Sequence, residues 1–231
     1  MEKMNIVYED PHIIVCVKPA GVPVQTRNLG TTDMESLLRN HISQSGASKA
    51  TSPYLAVIHR LDQPVRGILV FGKTPAAARH LNQQMQSDKF QKIYHALLCG
   101  TPSQDQGTLT DYLVKDGRTN TSRICTKETP GAKKAELSYR VLGAVSKENG
   151  QTVTEAEIHL KTGRHHQIRV QMAGAGMPLL YDNKYNPAFS APSDGEHKKA
   201  EYHPIALCAC ELSFIHPKTG KKMQFKIDCD W

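Results

Sequence analysis

His59-Arg60-Leu61-Asp62 sets one carboxylate beside a cation, just ahead of a glycine, Gly67, and the apolar run Ile68-Leu69-Val70-Phe71. An ionised aspartate in a short link between apolar segments is a candidate nucleophile held on a rigid scaffold. By itself Asp62 also reads as a turn aspartate bonded to its own backbone. A second constellation is Gly163-Arg164-His165-His166-Gln167-Ile168-Arg169. If Gln167 opens a helix, Arg169 stands in its first turn, where the helix dipole disfavours a cation, so a carboxylate or phosphate partner is expected. Adjacent histidines rarely converge on one ion, and a structural or RNA-contacting role suits His165 and His166 better. A third piece, Lys92-Ile93-Tyr94, puts a tyrosine near the start of a strand, which alone means only packing.

Two other patterns point elsewhere. Gly67-x-x-x-x-Gly72-Lys73-Thr74 matches a phosphate-binding loop letter for letter. Its intervening residues, Ile-Leu-Val-Phe, favour a buried strand whose N–H groups are committed to sheet pairing, and Pro75 removes a further donor. Nucleotide hydrolysis is therefore rejected. Cys208-Ala209-Cys210 with His203 and His216 suggests zinc, but adjacent strand positions alternate faces and no Cys-x-x-Cys knuckle is present. No metal site is expected.

The chain that must position these groups has 231 residues and a formal charge of +7. That length allows one large domain or two small ones, and the charge favours an anionic partner such as RNA, DNA or a membrane surface. No apolar run is long enough to span a bilayer, and no secretory signal is visible after Met1, so a cytoplasmic protein is expected. The six cysteines lie mostly in apolar strand-like runs and lack the spacing of a disulfide framework.

Ile13–Val17 reads as a buried strand ended by the Lys18-Pro19-Ala20-Gly21 turn. Thr32-x-x-Glu35 predicts a capping box for a helix carrying Met34, Leu37, Leu38 and Ile42, followed by a loop over Ser43–Pro53. Leu55–Ile58 and Ile68–Phe71 read as strands around Asp62. Thr74-Pro75 predicts the start of a helix running to about Lys89 with Ala78, Leu81 and Met85 on its apolar stripe. Strands follow at Ile93–Leu98, Leu137–Leu142 and Thr154–Leu160, the last alternating in burial. His166–Ala173 is a short helix closed by Gly174 and Gly176, and Asn186–Glu201 a loop. Ile205–Cys210 and Met223–Cys229 complete the strands, around a Pro217–Gly220 turn. Many strands with scattered helices indicate an α+β domain.

Taken together, the motifs resemble the RluA-type pseudouridine synthases. The resemblance rests on His59–Asp62 with Gly67–Thr74, on Glu9-Asp10, on Lys18–Gly21 and on Lys92–Leu97. Gly163–Val170, Asp182-Asn183-Lys184-Tyr185 and Phe214-Ile215-His216-Pro217 follow in order, so that the likeness extends from about Ile6 to Ile227. It implies a pseudouridine synthase fold, α+β with a mixed, largely antiparallel sheet. It also implies one catalytic domain over residues 1–231 without an S4-type module, and isomerisation of uridine in ribosomal or transfer RNA without cofactor or metal. A monomer is expected.

By the resemblance Asp62, Tyr94 and Arg169 are catalytic. Asp62 handles the carbon chemistry, Tyr94 stacks on the base and is a candidate base for proton removal, and Arg169 pairs with the catalytic aspartate. Substrate contacts are expected from Arg60, Ile168, His59, Arg164 and His166. Because a stacked uridine is unreachable, the nucleotide must flip out, and Arg60 is the candidate to fill the gap. The chain departs from the family pattern at Val65-Arg66, where Thr-Ser is common, at Tyr181 in place of a glycine, and at Cys208 in place of a histidine. A catalytically silent RNA-binding protein on the same fold is the alternative, and the retained trio argues against it.

Overall fold

A computed structural model describes residues 4–28, 30–45, 52–100, 102–146, 152–189 and 203–231. In chain order the elements are β1 (Asn5–Glu9), β2 (Ile13–Lys18), α1 (Met34–Gln44), β3 (Ala56–Val57), β4 (Arg66–Gly72), α2 (Pro75–Gln84) and β5 (Gln91–Leu98). Then come β6 (Gln106–Asp116), β7 (Thr121–Cys125), β8 (Lys133–Ser146), β9 (Thr152–Leu160), α3 (Gln167–Gly174), β10 (Leu207–Ile215) and β11 (Lys222–Lys226). They fall into two compact units, the first made of Met1–Lys92 and Cys208–Asp230, the second of Ile93–Leu207 with Trp231.

In the first unit the strands lie in the order β1-β2-β4-β10, with β11 paired to β10 off that path. All pairings are antiparallel except β4 with β10, which is parallel and matches Arg66 to Cys208 and Gly67 to Ala209. The short β3 takes the other end of β4, at Phe71 and Gly72. Strand β2 is buried at every position, and β4 at every position after Arg66. Burial on both faces explains why the sequence shows unbroken apolar runs there instead of alternation. One face joins Ile13, Val15, Ile68, Val70 and Phe214 to Ala77, Ala78 and Leu81 of α2. The backbone comes so close at Gly67 that a Cβ would stand 2.5 Å from the Ala209 side chain, so only glycine fits.

The second unit is an antiparallel sheet in the order β5-β9-β8-β6-β7. Small apolar clusters hold it, one built on Leu97, Val153, Leu180 and Ala206, another on Leu113, Ala135 and Val170 with Tyr185 packed against it.

The sheet pairing settles the phosphate-loop pattern. Residues 67–72 are hydrogen-bonded strand against Ile13–Lys18 and cannot wrap an anion. Several sequence expectations need correction. The cap of α1 is Asp33, not Thr32. Its carboxylate accepts from Ser36 N at 2.8 Å and also from Thr26 N at 2.7 Å, a tertiary bond the threonine could not make. Helix α1 runs through Gln44, into the stretch expected to be loop, and α2 ends at Gln84, short of Lys89. Strands β1, β6 and β7 were not anticipated, and β8 extends well beyond Leu137–Leu142 at both ends. Strand β10 starts later and ends later than expected, and β11 stops at Lys226. The expected loops partly lie outside the described residues, over 46–51 and 190–202.

Candidate active site

In the first unit Asp62 occupies the loop between β3 and β4, half-buried, and its carbonyl closes a turn by accepting from Val65 N at 3.0 Å. The next residue is fixed from three directions. Gly21 N donates to the Gln63 carbonyl at 2.8 Å, Gln63 Nε2 donates back to the Gly21 carbonyl at 2.9 Å, and Lys18 Nζ donates to the Gln63 carbonyl at 2.9 Å. Lys18 is fully buried and spends its other donors on the carbonyls of Pro19 at 2.8 Å and Val22 at 2.7 Å. Three donors thus meet three carbonyls. Burial pulls the Lys18 ammonium down to about 7, opposed by the negative charge of Asp62. Lys18 therefore welds the Pro19–Val22 turn to the segment carrying Asp62.

His59 is buried and accepts from Val70 N at 3.3 Å through Nε2, taking up an N–H of β4 where β3 has ended. Its ring meets Phe90 edge-on at 5.2 Å. Burial, with the charge of Lys92 adding to it, keeps the imidazole neutral, its pKa well below the usual histidine value. His59 is therefore an anchor inside the fold. Arg60, by contrast, is exposed.

The second unit holds the remaining expected residues. Tyr94 is buried in β5, in register with Ile158 of β9. Arg169, third residue of α3, is buried, and its fork engages one carboxylate: Nε to Asp182 Oδ2 at 2.9 Å and Nη2 to Asp182 Oδ1 at 2.7 Å. Asp182 is a carboxylate partner of the kind that an arginine at this point of a helix calls for. Asp182 Oδ1 also accepts the backbone N–H groups of Lys184 and Tyr185, at 3.0 and 3.2 Å, so the turn is ordered around the ion pair. The guanidinium carbon lies 5.1 Å from the centroid of the Tyr185 ring, within cation–π range.

His166 adopts a left-handed conformation, φ 53°, immediately before α3. The Tyr185 hydroxyl accepts from Ser122 N at 2.7 Å, leaving its hydrogen for His166 Nδ1, also at 2.7 Å. Burial lowers the His166 pKa to about 2, with the charges of Arg169, His165, Lys184 and Lys115 adding to it. A neutral His166 is what the Tyr185 bond requires. His165 stacks on it at 3.8 Å and bonds Ser122 Oγ at 2.9 Å. Ile168 is buried beside Arg169. Arg164 is exposed, with Nε tied to the Lys134 carbonyl at 2.8 Å. Tyr181, at the position where a glycine is usual, pays for the replacement with a left-handed φ of 62°.

Lys18, Asp182 and Tyr185 were not foreseen as site residues. Their motifs, Lys18–Gly21 and Asp182–Tyr185, were visible, but roles that depend on partners far along the chain were not.

The first unit thus fixes an aspartate-bearing loop and the second a buried, carboxylate-clamped arginine. Residues 12–174 match the family model described as RNA pseudouridylate synthase. An uncharacterised RNA pseudouridine synthase of Bacillus subtilis is 31% identical over 225 residues, covering 96% of this chain and 68% of the relative. Ribosomal large subunit pseudouridine synthase D of Vibrio cholerae is 32% identical, over 96% of this chain and 66% of the relative. The chain thus spans about two thirds of the length of these relatives. In fold it is similar to human RNA pseudouridylate synthase domain containing 4, with a TM-score of 0.76 at 22% identity, covering 98% of this chain and 88% of that one. The chain belongs to the RNA pseudouridine synthase family. As a member it is an isomerase that converts uridine in RNA to pseudouridine.

Proposed function

We propose that Asp62 supplies the carboxylate for this isomerisation and that the substrate is large-subunit ribosomal RNA. In the reaction the N1–C1′ bond of uridine breaks, the base turns, C5 joins C1′, the proton on C5 is lost, and N1 takes up a proton. An ionised carboxylate suits the step at carbon. The observation that carries the reading is the fixed Asp62 loop, whose Gln63 neighbour is held by both Lys18 and Gly21. These bonds restrict motion at one half-buried loop aspartate, as preorganised catalysis requires.

In this reading Tyr94 stacks on the uracil and takes part in proton removal. Arg169, set rigidly by Asp182, supplies positive charge to the reaction centre. Arg60, exposed beside Asp62, fills the space left when the uridine leaves its stack. Arg164 and Ile168 contribute at the substrate pocket, and His59 and His166 act by holding the Asp62 loop and Arg169 in place. The protein works as a monomer in the cytoplasm, and its excess of lysine and arginine binds phosphates, so affinity for RNA falls steeply with salt. The ribosomal substrate is inferred from the names of the Vibrio cholerae relative and others like it.

The test is tritium release from RNA carrying 5-tritiated uridine. Wild type releases label from large-subunit ribosomal RNA, and Asp62→Asn releases none. Equal release by both sinks Asp62 as the essential group. Release from transfer RNA alone overturns the choice of substrate.

A further inference from the structure

The contacts around Arg169 converge on one residue, Tyr185. Its hydroxyl accepts from Ser122 N at 2.7 Å and lies 2.7 Å from His166 Nδ1. Ser122 belongs to β7, the last strand of its sheet, and His166 is the residue before α3. One oxygen therefore joins a strand edge to the entrance of the helix that carries Arg169. The Tyr185 ring stands across the His166 ring at 83°, and the Arg169 guanidinium carbon lies over it, 5.1 Å from its centroid. Its backbone N–H donates to Asp182 Oδ1 at 3.2 Å, the oxygen that also accepts from Arg169 Nη2 at 2.7 Å. The ring packs in turn on the cluster of Leu113, Ala135 and Val170. His166 needs such a hold, because a side chain at a left-handed φ of 53° persists only where its surroundings keep it there.

We propose that Tyr185 is the positioning residue for Arg169, its hydroxyl holding His166 as the Nε2–H tautomer and its ring seating the guanidinium. The hydroxyl hydrogen goes to His166 Nδ1, because Ser122 N already supplies a hydrogen to the same oxygen. With Nδ1 accepting, the single proton of a neutral imidazole stands on Nε2. Burial, with the charges of Arg169, His165, Lys184 and Lys115 adding to it, keeps that imidazole neutral. Asp182 fixes the guanidinium by its fork, and the Tyr185 ring supports it from a second direction. An arginine held in both ways keeps one placement, and a displacement of about 1 Å near a reacting centre costs about a hundredfold in rate. Tyr185 acts through Arg169 and His166, not on the RNA. The inference rests on the reading in which Arg169 serves the reaction centre, and it adds the residue that holds Arg169 there.

Nitrogen-15 NMR of the full chain reads the tautomer. In wild type His166 Nε2 is expected to carry the hydrogen and Nδ1 to resonate as an acceptor. Tyr185→Phe keeps the ring and removes the hydroxyl. It is expected to mix the two tautomers and to lower kcat for tritium release, per folded molecule, about tenfold with KM for the RNA unchanged. Tyr185→Leu removes the ring as well and lowers kcat by roughly a further fivefold. A hydrogen on Nδ1 in wild type overturns the tautomer assignment, and that result needs no variant to fold. Wild-type kcat in Tyr185→Phe, or a change confined to KM, overturns the positioning role. Arg169→Lys is measured beside them. Wild-type kcat there sinks the reading of Arg169 and the positioning role with it, whereas wild-type kcat in Tyr185→Phe alone overturns only the part given to Tyr185.

Discussion

Replacing Asp182 by asparagine removes the carboxylate that clamps Arg169 while keeping size and the acceptor used by Lys184 N and Tyr185 N. In the native pair the Arg169 and Asp182 side chains are 3% and 0% exposed, with contacts of 2.7 and 2.9 Å. At such distances, and at an effective dielectric near 20, the gross attraction is about 6 kcal/mol. Desolvating both ions offsets much of it, so the pair itself adds little compared with an apolar substitute. Breaking it is different. The variant leaves a guanidinium buried with an amide N–H₂ aimed at its donors, a loss of about 3–5 kcal/mol. At roughly 3 °C per kcal/mol for a chain of this size, the melting temperature falls by about 10 °C. The assay is urea unfolding of wild type, Asp182→Asn, Arg169→Met and the double variant. The double variant is expected to regain at least about 2 kcal/mol over the sum of the single losses. A loss under about 1 kcal/mol in Asp182→Asn, or strict additivity in the cycle, refutes the buried-pair account.

Other outcomes follow from neighbouring features. His59 is neutral and buried when folded but titrates near the usual histidine value when unfolded, so below that value the unfolded state binds the extra proton. Stability therefore falls on acidification by about 1.4 kcal/mol per pH unit below pH 6 from this group, and His166, lowered to about 2, acts in the same direction. Urea midpoints at pH 7, 6 and 5 check this, and a flat profile contradicts it. Lys18→Met strands the Pro19 and Val22 carbonyls, the Gln63 carbonyl keeping Gly21 N, and is expected to cost about 3 kcal/mol and to lower kcat, seen by denaturation and tritium release. Lys18→Arg does not rescue it, since a planar fork does not match three converging acceptors. Gly67→Ala drives a Cβ into Ala209 at 2.5 Å, and chemical denaturation should show a loss above about 2 kcal/mol.

The elements that the sequence made legible are those with dense apolar signals. Ile13–Val17, Ile68–Phe71 and the stripe of Ala78 and Leu81 are buried and announce themselves. Strands β6 and β7 do not, because Leu113 and Ser122 are the sole fully buried positions in them. Their ladder bonds form without a hydrophobic period to betray them. The cap of α1 was misplaced by one residue because Asp33 is selected by Thr26 N as well as by the helix. Asp62, Tyr94 and Arg169 were visible as motif members, and the first-turn position of Arg169 even called for a carboxylate. What could not be read was that the carboxylate would be Asp182, or that Lys18 would be buried. Burial of a charge is decided by acceptors brought from elsewhere, here the Gln63 carbonyl, 45 residues along the chain.

The parallel pairing of β4 with β10 also has a kinetic meaning. It joins Arg66 to Cys208, closing a loop whose entropic cost is about 4 kcal/mol. During vectorial synthesis the ribosome has delivered the whole stretch Ile93–Leu207 before Leu212 and Phe214 emerge to complete the first unit's core. Apart from Trp231 the second unit is contiguous and can mature while the first still waits for its last strands. Until then β4 has an unpaired edge at Arg66 and Gly67, which makes the nascent chain most vulnerable to wrong partners just before it is finished.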